Sequence, residues 1–129
     1  MSSDKPISEQ LRENAELVLA TARDDLEQDI GYNEAGVRWL DGYVQRMREH
    51  PDAEMKAALV STLGAFLGQC LIETYGGMWV QHDGWWGVQF SAGNIAFPLS
   101  KVAKQLDNGA EDSVLSFFMV IRQVLQRPS

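Results

Sequence analysis

The chain has 129 residues, 45% of them hydrophobic, and a formal net charge of −7. This length predicts one domain with enough apolar material to form a core without disulfides. The single cysteine, Cys70, excludes an internal disulfide and lies in an apolar run. We expect it to be a small buried hydrophobe in a reducing, cytoplasmic compartment. Residues 1 to 6 predict no signal peptide, because no basic segment precedes an apolar one.

The negative charge is confined to the first half of the chain. Residues 1 to 55 hold 13 Asp and Glu against 6 Lys and Arg, a balance of −7, whereas residues 56 to 129 hold 5 of each kind. Nucleic acids and anionic membranes require a basic surface, so the charge argues against both as partners. The acidic half is either a solvated surface that aids solubility or a surface for a basic protein partner. The candidate residues are Glu13, Glu16, Asp24 and Glu27.

Hydrophobic spacing predicts three helices, over about residues 6–29, 34–49 and 52–75. Asn33 is a candidate cap for the second helix, and the break before the third lies at His50 and Pro51. Residues 57–72 are uncharged and include Gly64-x-x-x-Gly68, a spacing found in membrane helix dimers. Spanning a membrane needs about 20 mainly apolar residues. We therefore predict a buried central helix, whose two glycines let a neighbouring element approach closely.

From Met78 onward the hydrophobic period changes to two. We predict strands over about 78–82, 85–90 and 95–97, with Asp83-Gly84 as a hairpin turn. Helices follow over about 99–107 and 111–126, the last with Glu111 and Asp112 at its acid-favouring start. The predicted fold is α+β: three N-terminal helices, a three-stranded antiparallel β-meander and two C-terminal helices.

Pairing of the strands assigns each side chain to one of two sheet faces. We expect the core face to hold Trp79, Trp86, Val88, Phe90, Ile95 and Phe97. We expect the outer face to hold Met78, Val80, His82, Trp85, Gly87, Gln89, Asn94 and Ala96, with a shallow dent at Gly87. The outer face is either covered by another helix or an exposed surface on which Trp85 anchors a partner.

No motif of a catalytic, metal-binding or phosphate-binding kind occurs. The two histidines, His50 and His82, belong to no HxxxH, HExxH or Cys/His cluster. No nucleophile elbow surrounds a serine, and no glycine-rich phosphate loop is present. We therefore expect no metal, no cofactor and no hydrolase activity. An alternative ligand pocket between the sheet and the last helix would use Lys101, Lys104, Glu111, Asp112 and Ser113.

Four motifs span about residues 63–118. They are Leu63-Gly64-x-x-Leu67-Gly68-Gln69, Gly76-Gly77-x-Trp79, Ala96-x-Pro98-x-x-Lys101-Val102-x-Lys104, and Asn108-Gly109-x-Glu111-Asp112-Ser113-x-x-Ser116-Phe117. Together they resemble a pattern in small bacterial proteins of unknown function, some of which are similar to immunity proteins that neutralise a toxin. The immunity-like members imply a binding role, and the motifs carry no known chemistry, so the resemblance transfers no catalytic residue to this chain.

Three hypotheses about function follow. The first is a non-enzymatic bacterial protein-binding domain, of an immunity or regulatory type, that uses the Trp85 face, the acidic helices or both. The second is a small enzyme or ligand-binding domain with the pocket described above. The third is a structural homodimer formed through the exposed face.

Overall fold

The elements occur in the predicted order. The computed structural model describes residues 6–49 and 52–126, so the predicted break at His50 and Pro51 lies outside the described residues. The helices are α1 (Ile7–Asp24), α2 (Glu34–Met47), α3 (Ala53–Tyr75), α4 (Pro98–Asn108) and α5 (Val114–Gln126), with a 3₁₀ turn at Gly109–Asp112. The strands are β1 (Met78–His82), β2 (Trp85–Gln89) and β3 (Ile95–Ala96), which form one antiparallel sheet in the order β1-β2-β3. This confirms the α+β fold with helices on both sides of the meander in sequence.

Helix α3 runs through the centre of the molecule. Residues 63–71 are all buried, and α1 and α4 make its main contacts. The helix is also long and apolar enough to cross a membrane, a test that a buried core helix of this kind passes as well. Its glycines have the expected effect. A Cβ on Gly64 would lie 2.7 Å from Leu99 Cα, and a Cβ on Gly68 would lie 2.1 Å from Trp79 Cη2. The two glycines therefore let α4 and β1 pack directly on the α3 backbone.

Helix α1 ends five residues before the predicted boundary. Beyond Asp24 the chain turns back, and Glu27 adopts a left-handed conformation with φ 53°. Ile30 is buried and Leu26 is 40% exposed, although both fit the helical spacing of α1. Ile30 packs into the core from the segment that connects α1 and α2. This loop residue lies at a helical spacing from the residues of α1, so the predicted helix was too long. The Asn33 cap is confirmed, because its side chain accepts a hydrogen bond from the Gly36 amide.

Helix α5 begins at Val114 and not at Glu111. Ser113 caps it, since the Ser116 amide donates to Ser113 Oγ at 3.2 Å. Ser113 Oγ in turn donates to Asp41 Oδ1 of α2 at 2.6 Å. The buried Gln105 of α4 accepts a hydrogen bond from the Val114 amide at 2.9 Å and donates to the Asp41 carbonyl at 3.3 Å. These bonds fix α4 and α5 against α2, and thereby fix the helices that flank the sheet.

The register between β1 and β2 is the predicted one, with His82 opposite Trp85 and Trp79 opposite Val88. Asp83 and Gly84 form the turn with φ of 51° and 83°, as a tight hairpin requires.

The predicted register between β2 and β3 is wrong by one residue. Val88 lies opposite Ala96, and Gln89 lies opposite Ile95. We expected Phe90 opposite Ile95 and Val88 opposite Phe97, but the Phe90 amide donates to the Asn94 carbonyl at 2.9 Å, so residues 91–93 form the connecting turn. Because side chains alternate along a strand, this shift exchanges the two faces of β3. Ala96 belongs to the core, whereas Ile95 and Phe97 lie on the outer side.

Candidate functional site

The outer face of the sheet is left open around Trp85. As the structure has it, this face consists of Met78, Val80, His82, Trp85, Gly87, Gln89, Ile95 and Phe97. Trp85 is 68% exposed and Met78 is 62% exposed, which makes them the two most exposed large hydrophobic side chains in the described ranges. His82, which lies opposite Trp85, is also exposed, while Val80 and Gln89 are partly buried, and Gln89 lies opposite Met78. The described part of the chain thus agrees with an exposed surface centred on Trp85 and not with a covered second layer.

The dent predicted at Gly87 is filled. Gly87 is buried, and a Cβ there would lie 2.8 Å from Ile95 Cγ2 and 3.1 Å from Phe97 Cδ1. The absence of a side chain on β2 lets these two residues pack across the strand. The dent is absent because the one-residue shift of β3 moves Ile95 and Phe97 from the predicted core face to the outer face.

A groove opens instead between the sheet edge and the two C-terminal helices. Its volume is about 390 Å³. We call this concave surface the Trp85 groove. It is lined by Trp85, Ile95, Ala96, Phe97, Ser100, Lys101, Lys104 and Phe117. Strand β3 supplies its apolar floor together with Phe117 of α5, and α4 supplies its polar wall. The volume lies within the range of small-molecule and side-chain pockets, about 300–1,000 Å³.

The two lysines of the groove have different surroundings. Lys101 Nζ lies 3.1 Å from Asp112 Oδ1 and 5.8 Å from the centre of the Phe117 ring, and its side chain is 19% exposed. Hydrogen bonds from Asn108 and then from Lys101 hold the pKa of Asp112 below its ordinary value of 3.8, so this carboxylate stays ionised and neutralises Lys101. Lys104 is exposed and forms no ion pair with any described residue. The rim of the groove therefore carries an unpaired positive charge.

The alternative ligand pocket is assembled only in part. Lys101 and Lys104 line the groove, and Asp112 lies behind Lys101 as its partner. Glu111 is exposed and Ser113 caps α5, and neither lines the groove. Ile95, Phe97, Ser100 and Phe117 also line the groove and were not predicted from the sequence as site residues. The signal that could have found the first two is the tight turn at residues 91–93, which sets the β3 register.

The acidic candidates lie on an exposed surface apart from the groove lining. Glu13, Glu16 and Asp24 are exposed on α1, and Glu27 is exposed just beyond its end. The opposite side of α1 is buried through Leu11, Ala15, Val18 and Ala22, mainly against α3. The amphipathic arrangement of α1 thus turns these four carboxylates to solvent.

A second concave region, of about 460 Å³, lies between the start of α1 and the end of α3. Its lining includes Arg12, Gln69, Met78 and Trp79. The Trp79 indole N–H is buried and has no acceptor among the described residues. This region lacks the continuous apolar floor of the Trp85 groove, since Ser8, Glu9 and Arg12 form much of its wall.

The chemistry available in the described residues is limited. They contain no group of three or more His, Cys, Asp or Glu side chains placed to hold a metal ion. Burial raises the pKa of the Cys70 thiol far above its usual range, so the thiol is inert as a nucleophile. Burial also raises the pKa of Tyr32 to about 12. Neither group is prepared for proton transfer or nucleophilic attack at neutral pH.

Comparison of the chain with models of protein families, with curated proteins and with solved structures found no match. The resemblance to immunity-type bacterial proteins therefore rests on the motifs in residues 63–118 alone.

Proposed function

We propose that this chain is a non-catalytic bacterial binding protein that recognises a protein partner through the outer face of its sheet. The observation that carries the proposal is the 68% exposure of Trp85 beside the Trp85 groove. An exposed tryptophan contributes little to folding, and its burial on binding stabilises a complex by about 25 cal/mol per Å² of apolar surface. Tryptophan is among the residues that dominate binding energy at protein interfaces.

The surroundings of Trp85 support an anchor and not an isolated apolar residue. The groove floor of Ile95 and Phe97 extends the apolar surface from Trp85, whereas Met78 lies at the other end of the hairpin, opposite Gln89. His82 and Gln89 supply polar groups at the rim, as in interfaces with an apolar centre. An immunity or regulatory role in the cytoplasm fits this arrangement, because such proteins act by covering a partner and need no reactive group.

A direct test compares two exposed apolar residues. Tagged wild-type protein, Trp85→Ala and Met55→Ala are used to capture partners from a lysate of the source organism, with quantification by mass spectrometry. Met55 is 53% exposed at the start of α3 and serves as the matched control. We expect a partner that Trp85→Ala loses and Met55→Ala retains. Equal recovery by all three proteins would contradict the proposal. If the recovered partner is a second copy, light scattering should show a dimer that Trp85→Ala converts to a monomer, which would establish the homodimer.

A second candidate function is the binding of a small carboxylate ligand in the same groove. The groove volume of about 390 Å³ and the ammonium group of Lys104 on its wall favour it. Native mass spectrometry of protein purified without refolding would show a bound small molecule whose mass is lost in Lys104→Ala.

A further inference from the structure

We infer that the Trp85 groove binds an acidic segment of its protein partner, in which a large apolar side chain lies next to an aspartate or glutamate. This inference rests on the proposed function and names the chemistry of the partner. The apolar side chain would pack on the floor of Ile95, Phe97 and Phe117, against the ring of Trp85. The neighbouring carboxylate would meet Lys104 at the rim.

The charge at the groove is the opposite of the charge on the molecule as a whole. The chain has a net charge of −7, yet the groove wall carries Lys101 and Lys104. Of the three lysines in the described ranges, Lys56 pairs with Asp107 and Lys101 pairs with Asp112. Lys104 forms no ion pair with a described residue, although its charge also acts on Asp112, and its ammonium group remains open to a group from a partner. A carboxylate is the complementary group, whereas a basic segment would meet repulsion from Lys104, because Asp112 neutralises Lys101.

The start of α4 adds to this preference. The helix begins at Pro98, no side chain caps it, and Ser100 of its first turn lines the groove. Amides at a helix start carry partial positive charge and favour a nearby anion. The groove therefore offers an apolar floor and one ammonium group without an ion pair, with Ser100 of the first helical turn beside them.

The test selects binders from a phage-displayed library of random short peptides. We expect the enriched sequences to combine an aromatic or large aliphatic residue with a neighbouring Asp or Glu. Fluorescence polarisation then measures the affinity of one enriched peptide and of its Asn or Gln analogue. The proteins compared are wild type, Lys104→Ala, Trp85→Ala and, as the matched lysine control, Lys56→Ala.

Lys104→Ala should weaken the acidic peptide by about three- to fivefold, as expected for a solvent-accessible ion pair, and Lys56→Ala should leave it unchanged. The amide analogue should lose the same factor on wild type and nothing further on Lys104→Ala, which is the signature of a direct pair. Trp85→Ala should weaken both peptides by about tenfold or more.

The outcomes separate the two proposals. If the enriched peptides are neutral or basic and lose affinity in Trp85→Ala, the inference that the segment is acidic is wrong. Trp85 would still be an anchor for the partner. Peptides indifferent to Trp85, or no enrichment at all, would overturn the inference, and the partner capture described above would then decide the proposed function independently. If no peptide is enriched but decanoate binds to wild type and not to Lys104→Ala, the groove is a site for a small carboxylate ligand.

Discussion

Trp85 and Trp86 are neighbours in β2 and point to opposite sides of the sheet. Trp86 is partly buried and packs on the cluster of Leu11, Ala15 and Ala65, whereas Trp85 is 68% exposed. We expect Trp86→Ala to lower the free energy of unfolding by about 3 kcal/mol, at the low end for a core aromatic because its burial is partial. Trp85→Ala should lower it by about 1 kcal/mol or less. Urea melts would check both values. Equal large losses would show that Trp85 is needed for folding.

The glycines of α2 and α3 give a second comparison at the level of single residues. Gly68→Ala would place a Cβ within 2.1 Å of Trp79 Cη2, so the sheet must shift, at a cost of about 2–3 kcal/mol. Gly42→Ala meets only the flexible end of Arg46 at 3.3 Å. It should stabilise the protein by about 0.5–1 kcal/mol, because alanine favours the helix. Thermal and urea unfolding of both variants test this. A harmless Gly68→Ala would show that Trp79 does not pack tightly on α3.

At the scale of elements, the sequence correctly predicted those features that residues close together in the chain determine. The Asp83-Gly84 turn fixes the β1–β2 register because both residues adopt positive φ, and the uncharged run fixes α3 as the buried helix. The β3 register depends on the length of a turn that several sequences can close, so alternation alone could not place Ile95 and Phe97. The groove was missed for the same reason. Its floor is formed by residues that a one-residue shift would bury.

The contacts between α2, α4 and α5 could not be predicted either, since Gln105 and Asp41 are far apart in sequence. Gln105 is 1% exposed and accepts from the Val114 amide. We expect Gln105→Ala to lower the free energy of unfolding by about 2–3 kcal/mol, because it leaves a buried N–H without a partner. Hydrogen exchange at Val114 should accelerate as α5 loosens. The exposed Gln123→Ala, on α5, should change neither quantity, and an equal effect from it would contradict the role of the buried bond.

Glu34 and Asp112 form ion pairs that link different elements, and protonation of these carboxylates in acid should break the pairs. Hydrogen bonds from Arg38 and Arg122 hold the pKa of Glu34 below its ordinary value of 4.5, and Asn108 and Lys101 lower the pKa of Asp112 below 3.8. A lowered folded-state pKa contributes stability that is present above the unfolded-state value and is lost as the pH falls through the folded-state value. Stability should therefore decrease below about pH 4.5. Urea melts of Glu34→Gln and Asp112→Asn should show lower stability at pH 7 and a shallower decrease in acid. A decrease as steep as that of wild type would exclude these two carboxylates as its cause.

At the scale of the whole molecule the charge is divided between two surfaces. Exposed carboxylates on and just beyond α1 give one side a negative potential, and the Trp85 groove carries the unpaired Lys104. A partner with a basic surface and an acidic apolar segment would be attracted at long range by the first and held at short range by the second. A toxin that acts on nucleic acid would meet the first condition, because its own active surface must be basic.

The last prediction concerns the rate at which such a partner associates. Long-range attraction acts mainly on the association rate and is screened beyond about 8 Å at physiological salt. We therefore expect the association rate to fall about tenfold or more between low and high salt, while the dissociation rate changes little. Charge reversal at Glu13, Glu16, Asp24 and Glu27 should mimic the effect of salt without unfolding the domain, because all four side chains are exposed. Lys104→Ala should instead raise the dissociation rate, since it removes a contact made only in the complex. Stopped-flow mixing of each variant with the partner separates the two rates. If neither salt nor the charge reversals change the association rate, the acidic surface serves solubility alone. The Trp85 groove must then account for recognition by itself.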